Sequence, residues 1–147
     1  AVIADRFIGF RKALEENAIP FAADQRISVR FMDRKELTAK LKSAFARQRR
    51  PTAVFAHDDY LAAYIYAALQ ELGFKVPEQV SLIAPGDVLD YGEPYTPPIT
   101  TMRINTSSLG ILACRLLLDR LKGHIEDVHV LKLKQQLVKR GTCAKPA

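Results

Sequence analysis

The sequence predicts an α/β fold in which helices flank a parallel sheet. Short apolar runs alternate along the chain with longer segments whose apolar residues recur at helical spacing. Breaks at Pro51, Gly73 and Pro85-Gly86 separate these segments. Strands that alternate with helices of about 12 to 16 residues require crossover connections, and such connections produce parallel strands.

The first half of the chain supplies three helices and two strands of this pattern. A helix is predicted at residues 5–17 and a short alternating strand at residues 27–31. Asp33 is placed to cap a helix that reaches about residue 49. A buried strand at residues 53–56 then leads into a helix over about residues 59–72, where Gly73 can supply the left-handed turn that ends it.

The second half of the chain departs from simple alternation. A buried strand is predicted at residues 80–84, broken by Pro85-Gly86, and an extended crossing follows. Ser107 or Ser108 is expected to cap a helix that ends near Gly123 and is apolar almost all round, which is typical of a helix packed between other elements. Two strand-like runs close the chain, at residues 128–133 and 136–139.

Size and composition favour one compact domain of a non-membrane protein. The chain has 147 residues, 48% of them apolar, which is enough for one core. It has no apolar run of about 18 residues and no apolar signal segment at its charged N-terminus. Cys114 lies in an apolar helical pattern far from Cys143, so thiols in a reducing compartment are expected, and the predicted location is cytoplasmic.

The net charge of +6 is unevenly distributed. Residues 1–50 carry a net +6, residues 51–98 carry −6, and residues 99–147 carry +6. The one tight basic cluster, residues 46–50, falls at a predicted helix end, where cations complement the helix dipole. This pattern argues against direct nucleic-acid binding by these residues, because such surfaces concentrate basic residues on one face.

The carboxylates of the acidic block follow the predicted strands. His57-Asp58-Asp59 comes directly after one strand and Gly86-Asp87 after the next, so both should face one crevice at the carboxyl edge of the sheet. Asp58 can be a helix cap, part of a metal or phosphoacceptor site, or the rim of a ligand cleft. The nearest cation of the block, Lys75, lies at the far end of the helix, whereas carboxylates without a cation suit a polyhydroxyl ligand. Arg6 could add donors from a neighbouring loop.

Catalytic signatures are lacking, so we predict neither an enzyme nor a cofactor or metal. No serine or cysteine occupies a nucleophile elbow. The three histidines, His57, His124 and His129, do not have metal-ligand spacing. His57 is expected to line the cleft rim or to orient Asp58.

Five segments occur in a specific order along the chain: RPTAVFAHDDYLA, ALQELGFKVPEQVSLIAPGD, YTPPITTMR, SSLGILACRLLLDRLKG and LVKRGTC. In this order they resemble the lactose-repressor/galactose-repressor family of bacterial transcription regulators. The likeness is to the second half of that family's periplasmic-binding-protein-like (type I) effector domain. The early segment DRFIGFRKALEENAIP resembles the helix that opens the C-terminal lobe of that domain.

This resemblance implies an effector-sensing and dimerisation domain of a DNA-binding regulator. Family members join a helix-turn-helix to a two-lobed sensor that binds a sugar or another small metabolite between its lobes. The implied partners are a sugar effector, a second copy of the chain, and operator DNA through a helix-turn-helix whose pattern these residues lack. The alternative with the same fold is the solute-binding component of a sugar transporter.

The resemblance also implies that the chain is a fragment of a two-lobed domain. Residues 1–98 and 126–142 would form the C-terminal lobe, and residues 99–125 a crossover and a helix that packs on the other lobe. Without that lobe the helix would expose a set of leucines and promote self-association. These are Leu109, Leu112, Leu116, Leu117 and Leu121.

The resemblance also implies effector-binding roles for five residues. Arg6 matches an arginine that precedes a Gly-aromatic pair, and Asp58 stands where an amide is usual. Gly86 or Asp87 takes the place of the sugar-binding aspartate, and the position of a stacking aromatic falls near Met32.

Overall fold

A four-stranded sheet organises the chain, and the computed structural model describes residues 2–30, 33–124 and 130–145. The strand order is β1-β2-β3-β4, with β1, β2 and β3 parallel and β4 antiparallel to β3. This arrangement confirms the predicted α/β class. The elements in chain order are α1 (Val2–Glu16), a 3₁₀ turn (Ala23–Gln25), α2 (Arg34–Phe45), β1 (Ala53–Phe55), α3 (Asp59–Glu71), β2 (Ser81–Gly86), β3 (Thr100–Arg103), α4 (Thr106–Leu121) and β4 (Gln136–Val138).

The hydrophobic core lies where α2 and α3 meet the sheet. Leu41 of α2, Leu69 of α3 and Leu82 of β2 are almost completely buried in one cluster, which Ile99 extends at the start of β3. Each side chain of this size contributes about 1.5–3 kcal/mol by leaving water. The core therefore fixes α3 against β2, which is the contact that positions both strand-end acidic sites.

Local capping signals are confirmed at two helices and corrected at a third. The side chains of Asp33 and Asp58 accept hydrogen bonds from the first turns of α2 and α3. At α4 the cap is Asn105, whose side chain accepts from the backbone N–H of Ser108, and not Ser107 or Ser108 itself. The helix starts earlier than predicted because an asparagine at this position satisfies the free N–H groups of its first turn.

The strand predicted at residues 27–31 is not formed by residues 27–30. Their polar backbone groups are bound by α2 instead of by a neighbouring strand. Lys40 donates to the carbonyl of Ser28 at 2.5 Å, and the backbone N–H of Arg30 donates to Glu36 at 3.1 Å. Residues 27–30 therefore have no strand partner in the described sheet. Side chains of α2 form hydrogen bonds with their backbone instead.

The strand predicted to break at Pro85 in fact continues through Gly86. The Ile83 carbonyl accepts from Ala56 on the β1 side, and the Gly86 carbonyl accepts from Ile104 on the β3 side. Alternation places the nitrogen of Pro85 on the β1 side, beyond the point where β1 has ended at Phe55. The missing N–H of proline therefore removes no ladder hydrogen bond.

The strand predicted at residues 128–133 is not formed by residues 130–133, and residues 128 and 129 lie outside the described part. Val130 is 80% exposed and Leu131 is 52% exposed. The sheet edge beside β3 is already paired with β4, which matches the second predicted run. The second predicted run therefore supplies the strand at this edge.

The first and fourth helices lie at the periphery. Neither has a buried residue. In α1, Phe10 stacks on Phe55 of β1, with ring centres 5.0 Å apart, and also packs edge-on against Phe21. These aromatic contacts hold α1 beside the carboxyl end of β1.

The surface of α4 is apolar and largely exposed to solvent. Of the five leucines predicted to be exposed, Leu109, Leu117 and Leu121 are exposed, whereas Leu112 and Leu116 are half-buried. Ile111 and Leu118 are also exposed. Within the described ranges, no helix is long and apolar enough to cross a membrane.

Candidate functional site

The carboxyl edge of the sheet brings Arg6, His57 and Asp58 together. One oxygen of Asp58 accepts from the backbone N–H of Leu61 at 2.7 Å, and the other lies 2.8 Å from Nε2 of His57. Arg6 donates from Nη1 to the backbone carbonyl of His57. It reaches the edge from α1, because the aromatic contacts of that helix hold it beside β1, and not from a loop. Arg6 and His57, which are 51 positions apart in the sequence, therefore meet beside Asp58.

Asp59 has a structural role that differs from that of its neighbour. Its side chain is completely buried. Its Oδ2 accepts from the backbone N–H groups of Val88 at 2.7 Å and Leu89 at 3.1 Å, and from the Tyr91 hydroxyl at 3.3 Å. The first turn of α3 thereby holds the loop that follows β2. Its Oδ1 has no protein partner among the described residues.

Gly86 is where β2 passes directly against Asp59. Its φ is +137°, and a Cβ atom there would lie 2.4 Å from Oδ1 of Asp59. No side chain fits in that space, so the close approach of strand and aspartate requires glycine. Gly86 thus contributes to the edge through its backbone.

Asp87 turns inward toward β3 and β4. Its Oδ1 accepts from the Thr101 hydroxyl at 2.6 Å and from Nη2 of Arg140 at 2.6 Å, and its Oδ2 accepts from Nε of Arg103. Only 4% of the side chain is exposed. The backbone has a φ of +75°, a left-handed conformation that aspartate tolerates better than most residues.

The protonation of Asp87 follows from these contacts. Burial alone would raise the pKa of the carboxyl, but the hydrogen bonds from Thr101, Arg103 and Arg140 outweigh it and lower the pKa to about 2. The group is therefore a carboxylate at neutral pH, and its charge is matched by two arginines.

Tyr91 links Asp59 and, through Arg140, Asp87 into one network. Its hydroxyl donates to Asp59, and the guanidinium of Arg140 lies 3.6 Å from its ring centre. Burial and the nearby charge of Asp59 raise the pKa of the Tyr91 hydroxyl well above its usual range. Tyr91 is therefore a neutral hydrogen-bond donor that fixes the loop between β2 and β3.

Four of the five predicted site residues can be located. Arg6 and Asp58 converge at the end of β1, while Gly86 and Asp87 lie at the end of the neighbouring strand β2. Met32 lies outside the described residues. Sequence reasoning missed Arg103, although it ends a predicted extended segment and the strand-end rule that selected Asp58 also applies to it.

Arg140 and Tyr91 could not be found by that rule. They come from the segment after β4 and from a loop, and they reach the edge only through long-range pairing. In the described part of the chain, no group of three His, Cys, Asp or Glu side chains is placed to hold a metal ion. A groove of about 490 Å³ exists elsewhere, between α3 and the 94–98 loop, and contains none of these edge residues.

Comparison with known proteins places this geometry in a family. The family model of the periplasmic binding protein-like domain matches residues 1–143. The HTH-type transcriptional repressor PurR of Vibrio parahaemolyticus is 33% identical over 142 residues, which are 96% of this chain and 42% of the repressor. The chain thus spans less than half the length of this curated relative.

Solved structures show the same likeness. A LacI transcriptional regulator from Bacillus cereus subsp. cytotoxis superposes with a TM-score of 0.81 at 28% identity, over 96% of this chain and 49% of the regulator. The regulator CelR in complex with cellobiose gives 0.78 at 26% identity, over 95% and 42%. A LacI family regulator from Enterococcus faecium with bound ribose gives 0.73 at 29% identity, over 97% and 52%.

The relatives confirm the resemblance to lactose-repressor-type regulators drawn from the sequence segments. The matched model covers almost the whole chain, and the fold agrees with the predicted α/β class. The chain therefore belongs to the family of periplasmic binding protein-like domains.

Proposed function

We propose that this chain is the effector-sensing part of a DNA-binding transcriptional regulator that acts in the cytoplasm, and that its effector is a small hydroxylated molecule, a sugar. The observation that carries the proposal is the convergence of Arg6, His57 and Asp58 at the carboxyl edge of a parallel sheet, where open α/β sheets bind ligands. The similar repressor and the cellobiose and ribose complexes support it.

In this proposal the edge residues divide into two groups. Arg6 and Asp58 contact the ligand directly, since both are partly exposed and keep unused hydrogen-bonding capacity. Gly86 and Asp87 shape the floor of the site through the tight turn after β2. The position of Met32 is assigned to ligand packing on the resemblance alone.

We also propose that a second lobe covers α4. In this proposal residues 1–98 and 126–142 form the C-terminal lobe, and residues 100–103 join it because β3 pairs with β2. The helix that follows has no buried residue and exposes Leu109, Leu117 and Leu121. A second lobe packed on this face would remove those side chains from water, and a homodimer of the complete regulator would act on operator DNA.

The test is to express the full-length protein and measure two binding reactions together. Calorimetric titration with a panel of mono- and disaccharides should identify an effector, and a mobility-shift assay should show that the effector changes affinity for the promoter of its own gene. Sugar binding with no affinity for DNA would favour the transporter component. Absence of binding by every sugar would overturn the effector assignment.

A further inference from the structure

At the carboxyl edge of the sheet, most carboxylate acceptors already bind protein groups, whereas two arginines keep free N–H donors. Asp59 is completely buried beneath Gly86, and Asp87 is enclosed by Thr101, Arg103 and Arg140. Asp58 alone among these aspartates is partly exposed, with 27% of its side chain accessible, and each of its oxygens already has one partner. The acceptors of the edge are therefore largely used by the protein.

The donors of the edge have the opposite property. Arg103 uses only Nε, on Asp87, and half of its side chain is exposed, so its terminal nitrogens have no partner among the described residues. Arg6 makes one hydrogen bond, to a backbone carbonyl, and forms no ion pair with any carboxylate in the described ranges. Two guanidinium groups thus keep most of their N–H donors available.

These two arginines lie on either side of Asp87. Arg6 is bound at the end of β1, Arg103 ends β3, and β2 runs between those strands. Two strand spacings separate the ends of β1 and β3 by about 10 Å. The Arg6 guanidinium is bound at the His57 carbonyl after β1, and the Arg103 guanidinium at Asp87 after β2. The interval between these strand ends suits a ligand of monosaccharide size.

We infer that the effector is a sugar derivative that carries an anionic group, a carboxylate or a phosphate, held by Arg6 and Arg103, with a hydroxyl donating to Asp58. This rests on the proposed function and specifies its ligand class. Guanidinium forks match the paired oxygens of carboxylate and phosphate, and such charge-assisted hydrogen bonds are stronger than neutral ones. A neutral sugar would leave the unused arginine donors without an anionic partner.

The test compares matched probes on the full-length protein by calorimetry: D-glucose, D-glucuronate and D-glucose 6-phosphate, and the same three derivatives of D-galactose. At least one anion should bind about tenfold or more tightly than its neutral parent, and this preference should shrink as salt is added. A preference for the uronate identifies a carboxylate ligand, and a preference for the 6-phosphate identifies a phosphate ligand.

Two variants test whether the arginines at the carboxyl edge cause the preference for an anionic sugar. Arg103→Gln and Arg6→Gln should each reduce affinity for the preferred anion about tenfold or more, as expected when one charge-assisted bond is lost. Arg6→Gln should disturb folding less than Arg103→Gln, because Arg103 also binds the buried Asp87. Arg49→Gln makes the same charge change in the exposed segment after α2, before the strands begin, and should leave the preference intact.

Three results would overturn the inference in distinguishable ways. Equal or tighter binding of the neutral sugars would remove the anionic ligand class while leaving the proposed sensing function in place. No binding by any of the six probes would count against both. A preference for anions that survives both Arg6→Gln and Arg103→Gln would show that the anion is held elsewhere.

Discussion

Arg140 lies over the ring of Tyr91, with its guanidinium carbon 3.6 Å from the ring centre, and donates from Nη2 to Asp87 at 2.6 Å. It also donates from Nη1 to the carbonyl of Ile99 and to the hydroxyl of Thr101, both at 2.9 Å. One side chain from beyond β4 therefore holds the strand β3 and the loop after β2 in place. The candidate site depends on this contact although Arg140 lies below its exposed surface.

Arg140→Met should destabilise the fold. Methionine keeps the aliphatic part of the side chain but removes one of the two arginines that neutralise the buried charge of Asp87. Loss of one partner of a buried ion pair costs about 3–5 kcal/mol. We expect a decrease in the free energy of unfolding toward the lower end of that range, because Arg103 remains. Urea denaturation measures it, with Lys139→Met at an exposed neighbouring position as control. Equal stability of the two variants would contradict this role.

Acid should destabilise the protein through Asp87. The pKa of this carboxyl is about 2 in the folded state, below its ordinary value of 3.8, so the folded state favours the carboxylate. The resulting stability is fully present above about pH 4 and is lost as the pH falls toward 2. Melting temperatures measured across this range should show a weaker pH dependence in Asp87→Asn than in the wild type. Parallel curves for the two proteins would refute the assignment.

Asp58→Ser separates helix capping from ligand contact. Serine caps about as well as aspartate, so the melting temperature should stay nearly unchanged while effector affinity falls. Asp58→Ala should lower the free energy of unfolding by about 1 kcal/mol as well, because the hydrogen bond to the Leu61 N–H is lost. A serine variant that loses stability but keeps its effector response would reverse this interpretation.

Arg6→Ala should weaken effector binding by the full-length protein about 10- to 150-fold, which corresponds to the roughly 1.5–3 kcal/mol of a charge-assisted hydrogen bond. The matched control is Arg11→Ala on the same helix, whose exposed pair with Glu15 contributes little to stability. Calorimetric titration with the effector measures the affinity of each variant. Unchanged affinity in the Arg6 variant would remove this residue from the site.

The 147-residue chain alone should self-associate through α4. Its exposed apolar residues, which include Leu117 at 59% and Leu121 at 75% accessibility, form a surface of the kind that marks an interface. Light scattering at tens of micromolar should show a dimer or a larger species for the unmodified chain. The double variant Leu117→Lys/Leu121→Lys should have a smaller mass. A monodisperse monomer that also binds effector tightly would show that no second lobe is needed.

The sequence by itself determined the features that depend on neighbouring residues. The caps at Asp33 and Asp58, the left-handed turn at Gly73 and the alternation of strands with helices all arise within a few positions of the chain. The strand-end rule also placed Asp58 and Asp87 on one edge, because the carboxyl ends of parallel strands meet whatever the details of packing.

Only the tertiary structure decided which polar groups at that edge remain free. Residues 27–30 have an alternating pattern but pair with the side chains of α2, and Asp59 binds a loop about thirty positions away instead of capping its own helix. Asp87 is turned inward by Arg140, 53 positions later in the chain. A sequence pattern records which groups can form hydrogen bonds, whereas their partners are set by long-range packing. A buried carboxylate binds whichever donors the fold brings to it.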